Sequence, residues 1–256
     1  MIFPRALKGL ALVACLALTA GAAGAEDRQG AAYPKGGYAP LDRLPDWGGV
    51  WVLDFAAFMS GPPPQPVPKG KYLQAYEAWK AEVRKNDGVA PEAGSHCLPP
   101  GMPVMMTMIP QYPLEFIFSP GRVTVLFEAW MQWRRIFTDG RPHEDSPEPS
   151  FEGSSIGHWE GDTLVVDTIG IKEAAMLGMG IGHSDKLHLI ERIHLAPGDP
   201  DLLKVELTAD DPEALAQPFT MTASFRRDRK GGLLEFVCAE NDRNPVGPDG
   251  KTGFNP

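Results

Sequence analysis

His183, Asp185, His188 and Glu191 crowd into one short stretch of the chain. A histidine polarised by a carboxylate carries protons near neutral pH, so His183 or His188 as proton carrier, with Asp185 or Glu191 orienting it, spells acid–base catalysis. Arg134 would balance the negative charge that develops on an anionic or phenolate group. Glu128 and Asp167 fall on neighbouring predicted strands. The competing reading is that polar residues on strands are solvated or tied into structural networks. The catalytic one requires that these side chains converge in a sheltered hollow.

Other chemistries find less support. Gly153-Ser154-Ser155-Ile156-Gly157 has G-x-S-x-G spacing, and Asp167 or Asp185 followed by His188 supplies a nucleophile–acid–base order. A nucleophile elbow needs strand, sharp turn and helix, whereas Gly157 leads through Trp159-Glu160-Gly161 into another strand. His183-Ser184-Asp185 has the H-x-D of mononuclear iron sites, but His194 is the last histidine, so no distal ligand follows. His183 and His188 stand five apart, which suits neither a helical nor a same-face strand pair. No metal set is assigned. No phosphate- or dinucleotide-binding glycine loop occurs, so no cofactor is expected.

The elements that must position these groups are mostly strands. Gly157 to Asp162 is punctuated by glycines like a hairpin bend, and Thr163 to Thr168 is β-branched and apolar enough for a buried strand. After a glycine-rich loop, Leu187, Leu189, Ile193 and Leu195 alternate with His188, Ile190, Arg192 and His194. Glu191 breaks the apolar face, which places it at a strand end or against a cavity. Upstream, Tyr112–Ser119 and Arg122–Asp139 read as strands joined at Pro120-Gly121. The longer one carries Glu128, Trp130 and Arg134 on one face, a mixed aromatic and charged wall. Glu128, Trp130, Asp167, Met105 and Tyr112 are the expected substrate-binding residues, with Met102, Met105, Met106 and Met108 filling a core or lining an adaptable pocket. Leu202–Ala209, Phe219–Arg226 and Leu233–Glu240 alternate with period two.

One helix stands out, Lys71 to Lys85, with Tyr72, Ala75, Tyr76 and Trp79 at helical spacing. About eight strands against one packed amphipathic helix predict an antiparallel β-barrel, or alternatively a β-sandwich. Gly49-Val50-Trp51 resembles the G-x-W of lipocalin first strands, in which the tryptophan closes one end of the barrel.

Arg5 and Lys8, an apolar run from Gly9 to Ala20 and Ala23-Gly24-Ala25 predict a signal peptide cleaved after Ala25, with a lipoprotein anchor at Cys15 as the rival. The apolar run is too short to span a bilayer. Residues 26–45 read as a flexible leader, 46–244 as one barrel-like domain and 245–256 as a tail. The formal net charge of −9 argues against nucleic acid as a partner. Oligomeric state is not legible. Cys97 and Cys238 are an even pair for an oxidising compartment, available either for a disulfide or as two separate buried thiols.

Long motifs carry a further likeness: Cys97-Leu98-Pro99-Pro100-Gly101-Met102-Pro103, the run from Arg134 to His143, Ser155 to Thr168, His183 to His188, Glu191-Arg192, and Cys238-Ala239-Glu240-Asn241. Through these, most of residues 97–244 resemble an uncharacterised family of secreted, β-rich bacterial proteins. Such proteins occur in bacteria that degrade aromatic and other recalcitrant compounds, which implies a small aromatic ligand or substrate. The expectation is therefore a periplasmic enzyme doing lyase or isomerase chemistry, with a lipocalin-like carrier as the alternative.

Overall fold

Period-two alternation of apolar residues demands a sheet with one buried face, and a barrel satisfies that demand without leaving an open edge. The computed structural model describes residues 36–60, 65–88, 90, 97–109 and 111–238. The expected signal segment, Cys15, residues 26–35 of the leader, the C-terminal tail and Ala239-Glu240-Asn241 lie outside these. The strands are β1 (Val50–Leu53), β2 (Leu114–Ser119), β3 (Arg122–Phe127), β4 (Trp133–Phe137), β5 (Ser154–Glu160), β6 (Thr163–Ile169), β7 (His188–Ala196), β8 (Asp199–Asp210) and β9 (Phe219–Asp228). They follow one another round a closed barrel, with β9 returning to β1. The lipocalin-like barrel is thus the observed architecture.

Three details differ from expectation. The barrel has nine strands, and β4 pairs parallel with β5 while all other neighbours are antiparallel. The proline-containing stretch after β4 carries the chain back to the end where β4 began, so β5 starts in the same direction. The segment read as one strand from Arg122 to Asp139 is two, β3 and β4, folded on each other at a single 3-10 turn, Ala129–Met131. Residues 233–237 form no strand. Once β9 has paired with β1, the sheet has no edge on which another strand could add.

Alternation fills the interior with Leu114, Phe116, Val125, Phe127, Ile136, Leu164, Val166, Leu189, Ile193, Val205 and Leu207, all buried. Trp51 closes one end as the G-x-W likeness implied: it is fully buried, its Nε1 donates to the Trp47 carbonyl at 3.0 Å, and the Arg227 guanidinium lies 4.5 Å over its ring. Trp47 packs in turn on Phe116, Phe118 and Trp159. The other end is plugged by α3 (Val104–Thr107), all four of whose residues are buried, and by Ile171, Leu177, Ile181 and Leu187 from the loop after β6.

Two further helices complete the plugged end. One is α1 (Phe55–Phe58), capped by Asp54 accepting from the Ala57 amide. The other is α2 (Gly70–Lys85), the expected helix with one residue added. No residue of α2 is fully buried, and the helix rests its Trp79 on Gly180 of the plugging loop. Among the described residues no helix is long and apolar enough to cross a membrane.

Candidate functional site

Inside the barrel, near the plugged end, four polar side chains meet. The inward positions of β4, β5, β6 and β7 are Arg134, Ser155, Thr168 and Glu191, and none is more than 2% exposed. Arg134 donates from Nε to Ser155 Oγ at 3.0 Å, from Nη1 to Glu191 Oε1 at 3.1 Å, and from Nη2 to Thr168 Oγ1 at 2.7 Å and to Glu191 Oε2. Ser155 and Thr168 share a further hydroxyl bond of 2.9 Å. The guanidinium and carboxylate thus form a fork-to-fork ion pair with its remaining capacity spent on hydroxyls, which is what makes a dry charge pair tolerable. Glu191 does break the apolar face of β7 because it lines the interior, and Arg134 is its partner there. Saturated in this way, Arg134 has little left to offer a substrate.

Glu152, just before β5, is the unsettled neighbour. It is buried, and neither carboxylate oxygen makes a hydrogen bond. Burial pushes its carboxyl up to about 7; the positive charge of Arg134 opposes the shift and the negative charge of Glu191 adds to it.

On the outer face of the same strands lies a second polar group. Asp167 of β6 and His188 of β7 both point outward, and the loop after β4 brings His143 over them. Asp167 Oδ1 accepts from His143 Nε2 and from His188 Nε2, each at 2.8 Å. Because a carboxylate can only accept, both rings carry their proton on Nε2, and in the neutral rings each Nδ1 presents its lone pair. The Nδ1 of His143 is buried and has no partner. Ile156 and Ile190 stand opposite Asp167 on the adjacent strands and form an apolar floor on either side of it. The cluster is partly sheltered, with His143 at 18% side-chain exposure and His188 at 42%.

The remaining expected residues are dispersed. His183 is buried in the plug, where Nδ1 donates to the Ser184 carbonyl at 2.8 Å and Nε2 has no partner. Asp185 is exposed and pairs with Lys186, so it does not orient His183. The orienting carboxylate of that loop is Asp211, which accepts from Ser184 N at 2.7 Å and Ser184 Oγ at 2.8 Å. Burial pushes Asp211 up, but the amide bonds from Ser184 and Ala214 and the Ser184 hydroxyl outweigh it and hold the carboxyl below its ordinary range. Met105 is core. Glu128, Trp130 and Tyr112 meet the chain after β9 at the β3–β4 turn, Trp130 and Tyr112 against Phe236 and Glu128 at the Leu234 amide, and the turn takes Glu128 and Trp130 off the face of Arg134.

The structure therefore does not bring His183, Asp185, His188, Glu191 and Arg134 together. It joins Arg134 to Glu191 inside and His188 to Asp167 outside, because residues 188 and 191 have opposite parity on one strand. His143, Glu152, Ser155, Thr168 and Asp211 were missed. His143 comes from a loop without periodicity, and Glu152 precedes its strand, so neither carried a pattern; Ser155 and Thr168 lie on inward positions that alternation could have marked. Among the described residues no three His, Cys, Asp or Glu side chains are arranged to hold a metal ion. Cys97 and Cys238 form a disulfide. No protein-family model matches the chain, and no curated protein is significantly similar to it.

Proposed function

We propose that the protein is a periplasmic or secreted enzyme whose own side chains perform acid–base chemistry, of lyase or isomerase type, on a small aromatic compound at the His143–Asp167–His188 cluster. One observation carries this reading: a single carboxylate oxygen holds two imidazoles by Nε2, which leaves the buried His143 Nδ1 unpaired and ready to take a proton. His143 is the base and takes the proton on Nδ1, Asp167 stabilises the imidazolium that forms, and the same Nδ1–H returns the proton to the product while His188 holds Asp167 in place through its Nε2–H. The isoleucine floor supplies the contact for an apolar ring. The aromatic substrate class comes from the family resemblance, and the Cys97–Cys238 disulfide supports an oxidising compartment. Arg134 and Glu191 have no role in this chemistry.

The test is product formation from a panel of small phenolic and other aromatic compounds. His143→Ala and His188→Ala each lower kcat by about 10²-fold or more, with melting temperature little changed because both rings lie on the outer face. Full turnover in His143→Ala removes the role assigned to it. The closed barrel supports a second reading, a lipocalin-like carrier; binding of the panel without any product would favour it.

A further inference from the structure

After β9 the chain runs on as a strap that pairs with no strand, yet it is fastened at three points. The Leu234 amide donates to Glu128 Oε2 at 2.7 Å. The Phe236 ring stands edge-on to Tyr112 at 5.3 Å and tilted against Trp130 at 5.5 Å. Cys238 is bonded to Cys97. Little else holds it, since Leu234 is 71% exposed and Val237 is also exposed.

The receiving side is more elaborate than a structural contact needs. Trp130 is presented by a turn in which it and Met131 both adopt left-handed backbone, φ 54° and 50°, a conformation that residues other than glycine hold only at a cost. Strain of this kind persists where a side chain must be aimed. Glu128 is buried beside it. The indole Nε1 of Trp130 is buried and makes no hydrogen bond. Phe236 has no polar atom, so as an occupant it leaves that donor unmatched.

We propose that Tyr112, Trp130 and Glu128 form a binding site for a small phenol, and that Phe236 of the strap is its built-in occupant, displaced when the ligand enters. The aromatic ring replaces that of Phe236. The phenolic O–H donates to the Glu128 carboxylate in place of the Leu234 amide, and the same oxygen accepts from Trp130 Nε1. A phenol satisfies a donor that the strap leaves orphaned, which biases the exchange toward the ligand. This site is separate from the His143–Asp167–His188 cluster and does not rest on the function proposed there.

Calorimetric titration of the full-length oxidised protein with phenol and with anisole, which lacks the O–H, tests it. Phe236→Ala tightens phenol about tenfold, the worth of a lost aromatic pair contact, and phenol then outcompetes anisole. Adding Glu128→Gln reverses both gains. A second opening needs no mutation: a dithiol gives two electrons and two protons to the Cys97–Cys238 disulfide, becomes a disulfide itself and leaves two thiols. Reduced wild type binds phenol more tightly than oxidised, and it decides the matter if Phe236→Ala does not fold. Phenol affinity that is unchanged when the strap is freed, or equal in the Glu128→Gln variant, overturns the proposal.

Discussion

Arg134 and Glu191 show how burial alone misleads about function. Each is a charge on the inward face of a strand, and either alone looks like machinery; together, with Ser155 and Thr168, they neutralise one another. A buried pair whose partner is removed leaves an uncompensated charge, so Arg134→Met alone costs about 3–5 kcal/mol, whereas Arg134→Met with Glu191→Leu recovers most of that. Denaturant midpoints of the two singles and the double give the coupling directly, and additive effects would mean that the pair is not a unit. Glu152 adds a pH dependence. Below its ordinary 4.5 both folded and unfolded states hold the proton; between 4.5 and about 7 the unfolded chain ionises while the folded one stays protonated, so stability falls as pH rises. Above about 7 the full penalty is present, on the order of 3 kcal/mol. Glu152→Gln removes it, so the variant's advantage over wild type is small at pH 4 and grows toward pH 8. An advantage independent of pH would show that the carboxyl does not titrate in the fold.

The β3–β4 turn is the element at which sequence and structure part most clearly. Turns with both central residues at positive φ are normally written with asparagine and glycine, and here the pair is Trp130-Met131. Met131 is exposed, so Met131→Gly relieves backbone strain without loss of packing. It raises the unfolding free energy by roughly 1 kcal/mol after the entropy cost of glycine; a fall in the melting temperature would show that the methionine is not strained. Because nothing marked this bend, β3 and β4 were read as one strand, and the inferred faces beyond it came out in the wrong phase. By contrast β6, β7, β8 and β9 were legible: β6 is a β-branched apolar run, and along the other three apolar residues recur with period two, Glu191 being the exception in β7. The two His–Asp contacts were not: His143 and Asp167 meet through a loop whose path no local pattern records. Glu191 was half legible, as a carboxylate on an apolar face requires a buried partner somewhere, but the residue alone does not say which.

At the scale of the whole barrel, the ladder is uneven. β7 and β8 share nine register pairs, but β1–β2 and β4–β5 share only two each. The barrel is therefore two arcs, β2–β4 and β5–β9 with β1, meeting at two thin seams. Each seam has its own fastener. Arg134 of β4 bonds to side chains of β5, β6 and β7 and so bolts the parallel seam from inside. The strap leaving β9 crosses to Glu128 at the end of β3 and, through Cys238, to the segment leading into β2, so it clamps the other from outside. The two cysteines are 141 residues apart, which in the chain-entropy view stabilises the fold by roughly 5 kcal/mol at most. Reduction should be felt unequally. Hydrogen exchange of the reduced protein loses protection first at Trp51, Leu114 and their ladder neighbours in β1 and β2, while the amides of β6, β7 and β8 keep theirs until global unfolding. Arg134→Met produces the complementary pattern, with β4 and the start of β5 opening first. Uniform loss in both cases would mean that the barrel opens as one cooperative unit and that neither fastener guards a particular seam.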